Sequence, residues 1–113
     1  MLMGERQGLS RKWPYLCWGG NSGYQAINLM YLLGYRRILL LGYDMQEKNG
    51  QAHWHPDHRF KGASNPSQGT FGGWLRDFRV LAEKIKEAGV EVINCTRETA
   101  LKSFPQIPLE DAL

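Results

Sequence analysis

The feature that most constrains the fold is a continuous apolar run at residues 37–43, Arg-Ile-Leu-Leu-Leu-Gly-Tyr. Apolar residues at consecutive positions, without alternation, are typical of a strand buried on both faces of a parallel sheet that helices cover. Asp44 follows the run directly. Ligands of open parallel sheets bind beyond the carboxyl ends of the strands. We therefore expect Asp44 and the loop after it to lie at the functional edge of the sheet.

The residues on either side of this strand predict the helices that cover it. Residues 22–33 are apolar nearly all round and end at Gly34, which suits a left-handed helix cap. Residues 73–88 repeat apolar side chains at the spacing of one helical face, and charged side chains, Asp77 included, fill the other face, which we expect to be solvated. A further strand at 90–94 completes a parallel βαβ unit. We predict an α/β fold with a small, mostly parallel sheet and helices on both faces, a Rossmann-like three-layer α/β/α arrangement.

The remaining segments are predicted from composition and local signals. Residues 1–12 are polar with two glycines, which predicts a flexible N-terminal arm before a single domain at 13–113. An apolar run at 15–18 predicts a first strand, residues 97–103 a short helix, and residues 109–113 a closing helical turn. Residues 44–71 form the longest irregular segment, and long loops of this kind often carry function.

Composition narrows the class of protein. The 113 residues carry a net charge of +3 with scattered basic side chains, so we expect no nucleic-acid partner. No apolar run approaches 18 residues, so no membrane span is predicted. Two cysteines in apolar stretches predict buried free thiols and a cytoplasmic location. A sheet this thin leaves surface to cover, so we also expect a homo-oligomer or a partner that covers it.

Polar residues at the predicted helix start and strand ends are the candidate substrate-binding residues: Asn21, Ser22, Gly23, Asp44, Asn94 and Thr96. The helix start could bind a phosphate or carboxylate through its free N–H groups, and a plain tight turn with a good cap explains it equally well. A carboxylate at the position of Asp44 could bind a ribose hydroxyl, a metal or a substrate amine, or could simply cap a turn.

The most unusual hexapeptide is His-Trp-His-Pro-Asp-His at 53–58. Its imidazoles and carboxylate suit a divalent metal, with His53, His55 and Asp57 as the candidate ligands and His58 as the alternative to Asp57. A histidine also suits general-base catalysis because its pKa lies near neutrality, so His53, His55 and His58 are the candidate catalytic residues. Histidines that are merely hydrogen-bonded within a loop remain the third interpretation.

Several runs resemble known families. Asn-Ser-Gly-Tyr-Gln-Ala at 21–26, Leu-Gly-Tyr at 33–35 and Ile-Leu-Leu-Leu-Gly-Tyr-Asp-Met at 38–45 are similar to the C-terminal half of bacterial sialyltransferases that modify lipooligosaccharide. They look equally like the domain shared with archaeal 6-hydroxymethylpterin diphosphokinase-like proteins. The hexapeptide at 53–58 and Gly-Val-Glu-Val-Ile-Asn at 89–94 resemble uncharacterised phage and prophage proteins of the same broad group. The resemblance covers residues 18–109.

The resemblance implies a nucleotide-sugar-dependent glycosyltransferase domain, or a remnant of one, in a bacterial or phage-infected cell. It implies that Ser22 lies near the phosphates or sugar of a nucleotide ligand and that one histidine of the 53–58 segment is the general base. Because the similarity is to one half of those enzymes, two alternatives stay open. The chain could be a non-enzymatic phage-type accessory or binding protein that reuses the fold, or a metal-binding module built on residues 53–58.

Overall fold

The computed structural model describes residues 1–45 and 68–113, with the side chains of the second range described from residue 71 onward. Within these ranges the chain forms four strands and three helices. In chain order they are β1 (Leu2–Met3), β2 (Tyr15–Leu16), α1 (Ser22–Leu32), β3 (Arg37–Leu40), α2 (Gln68–Glu87), β4 (Glu91–Asn94) and α3 (Leu109–Ala112).

The strands form two parallel pairs. β3 lies beside β4 in a register that runs from Arg37 opposite Glu91 to Leu40 opposite Asn94. This pairing confirms the predicted α/β class and the parallel arrangement of β3 and β4 around α2. The predicted first strand pairs with β1 as a separate two-stranded sheet and not with β3. The described sheets therefore have two strands each, which is fewer than the predicted three-layer α/β/α fold requires of its central sheet.

The C-terminal tail extends the β3–β4 sheet by a single bridge on the free side of β4. The Asn94 N–H donates to the Pro105 carbonyl at 2.8 Å, and the Ile107 N–H donates to the Asn94 carbonyl at 3.1 Å. Proline lacks an N–H and suits such an edge position. This bridge brings the tail and α3 against the carboxyl end of β4.

The two faces of the β3–β4 sheet are covered unequally. On one face, strand residues pack with α1 and α2 in the main core, which includes Ile27, Ile38, Leu40, Phe78, Leu81, Ile85 and Val92. On the other face, Ile93 packs with partly buried Leu39 and Leu109 beside α3. Leu41 stays 60% exposed. The prediction that the apolar run is buried throughout is therefore wrong at its carboxyl end.

Several element boundaries differ from the sequence prediction. The first helix matches closely, and residues 109–113 close with the predicted turn. α2 begins at Gln68, ahead of the predicted start at residue 73, and it includes buried Phe71, whose ring packs edge-on against Trp74 at 5.4 Å. β3 ends before Gly42, where φ is +78°.

The helix predicted over 97–103 is not formed. The hydroxyl of Thr99 donates to the carbonyl of Tyr43 and accepts from the Leu101 N–H at 3.0 Å. Side-chain to backbone bonds of this kind compete with helical hydrogen bonds. The segment consequently follows an irregular path across the end of β3.

Residues 1–12, predicted as an arm, run alongside residues 14–19. The Leu2 N–H donates to the Pro14 carbonyl at 2.9 Å, and the Gly4 N–H donates to the Leu16 carbonyl at 2.6 Å. Further on, the Gly19 N–H donates to the Arg6 carbonyl at 2.8 Å. Gly19 itself is confined to glycine, because a Cβ there would lie 2.1 Å from the ring of Tyr24.

Buried polar side chains hold this N-terminal segment to the helices. Asn28 of α1 is fully buried, and its Oδ1 accepts from the Ser10 N–H at 2.9 Å and the Cys17 N–H at 3.0 Å. Asp77 of α2, predicted on a solvated face, is instead only 3% exposed. It accepts from Arg6 Nε at 3.1 Å and from Gln7 Nε2 at 2.7 Å. The helix pattern could not anticipate this burial because the covering residues come from 70 positions or more away.

Within the described ranges, no helix combines the length and apolar character needed to cross a bilayer. Both cysteines, Cys17 and Cys95, are buried and free, as the sequence predicts.

Candidate functional site

Tyr43 joins three elements at the carboxyl end of the β3–β4 sheet. Its N–H donates to Thr96 Oγ1 at 2.9 Å, just beyond β4, and its phenol donates to the Gly23 carbonyl at 2.9 Å, in the first turn of α1. Burial raises the pKa of Tyr43, so the phenol keeps the proton that it donates. Tyr43 thus connects the end of β3, the turn after β4 and the start of α1 at the predicted functional edge.

At the start of α1, the predicted ligand-binding residues have structural partners. Asn21 caps the helix: its Oδ1 accepts from the Tyr24 N–H at 2.9 Å, and its Nδ2 donates to the Gly19 carbonyl at 3.3 Å. A Cβ on Gly23 would lie 2.8 Å from a ring carbon of Tyr43. Ser22 is exposed. The contacts at this turn are those of a capped helix whose first turn packs against Tyr43.

Asn94 lies beneath the edge and is fully buried. Its Nδ2 donates to Thr99 Oγ1 and to the Leu101 carbonyl, both at 3.3 Å. Its Oδ1 accepts from the Thr96 N–H at 3.0 Å. Every polar atom of the side chain is used in shaping the turn after β4, so Asn94 supports the site from below.

A groove of about 860 Å³ opens beyond the carboxyl ends of β3 and β4. Its walls come from the end of β3, the turn after β4, and the tail with α3. The lining residues are Leu41, Gly42, Asp44, Cys95, Thr96, Arg97, Glu98, Gln106, Pro108, Leu109 and Glu110. Of the predicted substrate-binding residues, the structure brings Asp44 and Thr96 together in this groove, while Asn21, Ser22 and Gly23 lie at the start of α1 and Asn94 lies below.

The lining offers one apolar wall and several groups that can bind a polar ligand. Leu41, Pro108 and Leu109 supply apolar surface. The half-buried carboxylate of Asp44 makes no hydrogen bond or ion pair within residues 1–45 and 71–113. The Thr96 hydroxyl accepts from the Tyr43 N–H, and within residues 1–45 and 71–113 it donates to no partner, so its hydrogen is available for donation. Such a mixture of apolar surface and a few polar groups is typical of small-molecule sites.

Sequence reasoning missed Arg97 and the contribution of the tail. Arg97 directly follows Thr96, so the argument that placed Thr96 at the edge would also have placed Arg97 there. No local signal in the sequence indicates that residues 106–110 return to the end of β4. That placement depends on the bridge at Asn94.

The candidate catalytic histidines His53, His55 and His58, and the candidate metal ligand Asp57, lie outside the described residues. Among the residues that are described, no three His, Cys, Asp or Glu side chains converge on a position that could hold a metal. The general-base and metal interpretations of residues 53–58 therefore stay predictions.

Comparisons with protein-family models, with curated proteins and with solved structures found no match to this chain.

Proposed function

We propose that this chain is a Rossmann-like domain that binds a nucleotide or nucleotide sugar and serves glycosyl transfer of the sialyltransferase type. The observation that carries the proposal is the groove beyond the carboxyl ends of β3 and β4, with Asp44 and Thr96 on its walls. Parallel α/β sheets bind their ligands at this edge. The motifs at 21–26, 33–35 and 38–45 support the choice of reaction.

The lining residues suit the parts of such a ligand. The Asp44 carboxylate would accept hydrogen bonds from a pair of sugar hydroxyls, and the Thr96 hydroxyl would donate one. Leu41 and Leu109 would pack against the base or the sugar ring. One histidine among His53, His55 and His58 would deprotonate the acceptor hydroxyl as the nucleotide leaves, which is the usual role of a general base.

A second candidate function is a non-enzymatic accessory or binding protein. It is favoured by the apolar side chains that stay exposed around β1 and β2, among them Leu2, Met3 and Trp13, each more than half exposed. Exposed apolar surface often marks a protein-protein contact. A partner or a second copy of the chain would cover it, and a stable assembly with an unliganded groove would favour this function.

The two free, buried thiols bear on the compartment. Disulfides are rare where thiols are kept reduced. The state of Cys17 and Cys95 supports our placement of the protein in the cytoplasm of a bacterial or phage-infected cell.

The proposed function is tested by thermal unfolding with CMP, UDP, GDP and their sugar conjugates at millimolar concentration. A ligand at about 100 times its Kd stabilises the folded state by roughly 2.7 kcal/mol, a shift of several degrees for a domain of this size. We expect one nucleotide class to raise Tm in the natural chain and Asp44→Asn to reduce the shift strongly, because the amide is uncharged and replaces one of the two acceptor oxygens by an NH2 donor.

Glu83→Gln is the matched control, since it removes one exposed carboxylate from α2 away from the groove lining. It should keep the full shift, and both variants should unfold without ligand at the temperature of the natural chain. Equal shifts in Asp44→Asn and the control would contradict the role of Asp44. An absence of any shift across the panel would turn us to the binding-protein function.

A further inference from the structure

The charge of the groove is uneven. Its described lining holds three carboxylates, on Asp44, Glu98 and Glu110, and a single cation, Arg97. The carboxylates of Asp44 and Glu110 would repel a phosphate, and the guanidinium of Arg97 would attract one. We therefore expect a phosphate-bearing ligand in this groove to place its phosphate toward Arg97.

The side chain of Arg97 is accessible to a ligand phosphate. Its side chain is exposed, and within the described residues its guanidinium forms no ion pair. The other arginines that approach a carboxylate are already engaged: Arg6 with Asp77 at 3.0 Å and Arg37 with Glu91 at 3.8 Å. A guanidinium can bind a phosphate through two parallel N–H bonds, which fixes geometry as well as charge.

The backbone that carries Arg97 is held by Gln106 of the tail. Gln106 Nε2 donates to the Thr96 carbonyl at 3.0 Å and to the Arg97 carbonyl at 3.1 Å. Gln106 Oε1 in turn accepts from Lys102 Nζ at 2.9 Å. The bridge between the tail and Asn94 holds Gln106 in this place. The side-chain amide of Gln106 thus donates to two successive backbone carbonyls just after the end of β4.

We propose that Arg97 is the residue that selects a phosphate-bearing ligand in this groove, and that Gln106 is a positioning residue that orients it. The proposal rests on the proposed function, because it assigns the phosphate end of the same nucleotide ligand. It predicts that the groove prefers a nucleoside monophosphate to the corresponding nucleoside, and that the preference resides in these two residues.

The test is isothermal titration of the full chain with three pairs of ligands: CMP and cytidine, UMP and uridine, and GMP and guanosine. The ratio of nucleotide to nucleoside affinity isolates the phosphate contact. Arg97→Gln should lower this ratio about ten- to a hundredfold, the range for hydrogen bonds to charged groups, and leave nucleoside affinity unchanged. Arg97→Lys should keep part of the preference, since the charge remains without the planar fork.

Gln106→Met removes both donated hydrogen bonds at nearly constant side-chain length. It should lower the affinity ratio by a smaller factor, a readout that a merely structural role would not move. Gln25→Met is the matched control, because it removes the same kind of bond, from Gln25 Nε2 to the Trp18 carbonyl at 3.1 Å, in a side chain of α1 that is not part of the groove lining. It should keep the ratio of the natural chain.

The outcomes separate this inference from the function on which it rests. If the natural chain binds neither nucleosides nor nucleotides, both fall. If it binds nucleotides, and Arg97→Gln folds with an unchanged affinity ratio, the assignment of Arg97 is overturned while the nucleotide function stands. If Arg97→Gln fails to fold, two other measurements take its place: the affinity ratio of Arg97→Lys, and the change in the ratio of the natural chain with added salt. An affinity ratio that neither the substitution nor the salt changes overturns the inference.

Discussion

At the scale of single residues, burial changes the acid–base chemistry of Tyr24. It is fully buried in α1, and its hydroxyl donates to the Gly8 carbonyl at 2.6 Å and accepts from the Gly8 N–H at 2.8 Å. Burial, the largest cause, raises the pKa of this phenol from 10.0 to about 12. An ionised phenolate in this position would lose solvation and could no longer donate to Gly8.

We expect stability to fall with alkaline pH because of Tyr24. Below pH 10 the phenol is protonated in both states and the free energy of unfolding does not depend on it. Between pH 10 and about 12 the unfolded phenol has lost its proton while the folded one keeps it, so the unfolded state binds fewer protons and stability falls as pH rises. The loss is on the order of 2–3 kcal/mol by pH 12.

Urea unfolding of the natural chain and of Tyr24→Phe across this range measures the effect. The variant should lose about 1–3 kcal/mol at neutral pH, because Gly8 loses its partner, and should show a shallower alkaline decline. Burial raises the pKa of Tyr43 as well, so some decline remains in the variant. Identical alkaline slopes in the two proteins would contradict the assignment to Tyr24.

At the scale of elements, Gly72 and Gly73 reduce the stability of α2. Both lie inside the helix, where glycine is less favourable than alanine by roughly 0.5–1 kcal/mol. Among the described residues, a Cβ at either position would meet only the guanidinium of Arg76, at 3.8 Å and 3.7 Å. Gly72→Ala and Gly73→Ala should each raise the free energy of urea unfolding by about that amount.

Gly89→Ala is the contrasting control for these alanine substitutions. Gly89 follows α2 with φ at +79°, and a methyl group there would meet no atom of the described part of the chain but would strain the backbone. We expect this variant to lose roughly 1–2 kcal/mol. Destabilisation by Gly72→Ala or Gly73→Ala would mean that the start of α2 does not continue as a regular helix through these positions.

At the scale of the whole molecule, the N-terminal segment acts as part of the fold. Removal of residues 1–10 would leave Asp77 without Arg6 and Gln7, and it would strip Asn28 of Ser10 and Tyr24 of Gly8. Buried polar groups left unpaired cost about 1–3 kcal/mol each, and a buried carboxylate costs more. We expect the shortened chain to lose more than about 3 kcal/mol in urea unfolding.

A shorter truncation separates this effect from the loss of chain length. Removal of residues 1–3 takes away β1, whose side chains are exposed, and keeps the contacts of residues 6–10. It should change stability far less than removal of residues 1–10. A chain that keeps its full stability without residues 1–10 would support the flexible arm that the sequence predicts.

Local patterns by themselves determined much of the secondary structure of this protein. The apolar helix that begins at Ser22, the strand that ends at Asn94, the parallel pairing around α2 and the burial of both thiols all follow from periodicity, caps and connection rules. These signals act over a few residues, so the sequence carries them directly. The prediction for 97–103 was wrong because a hydrogen bond from Thr99 to Tyr43, more than 50 positions away, outweighs local helix propensity.

Only the tertiary structure decided what each polar residue does. Asp44 follows one predicted strand and Asn94 ends the other, yet Asp44 lines the groove while Asn94 is buried among Thr96, Thr99 and Leu101. Asp77 is buried and not solvated for the same kind of reason, since its partners Arg6 and Gln7 lie 71 and 70 positions away in the sequence. The burial of a polar side chain depends on hydrogen-bond partners that tertiary packing brings close from distant parts of the chain. No local pattern in the sequence indicates those partners.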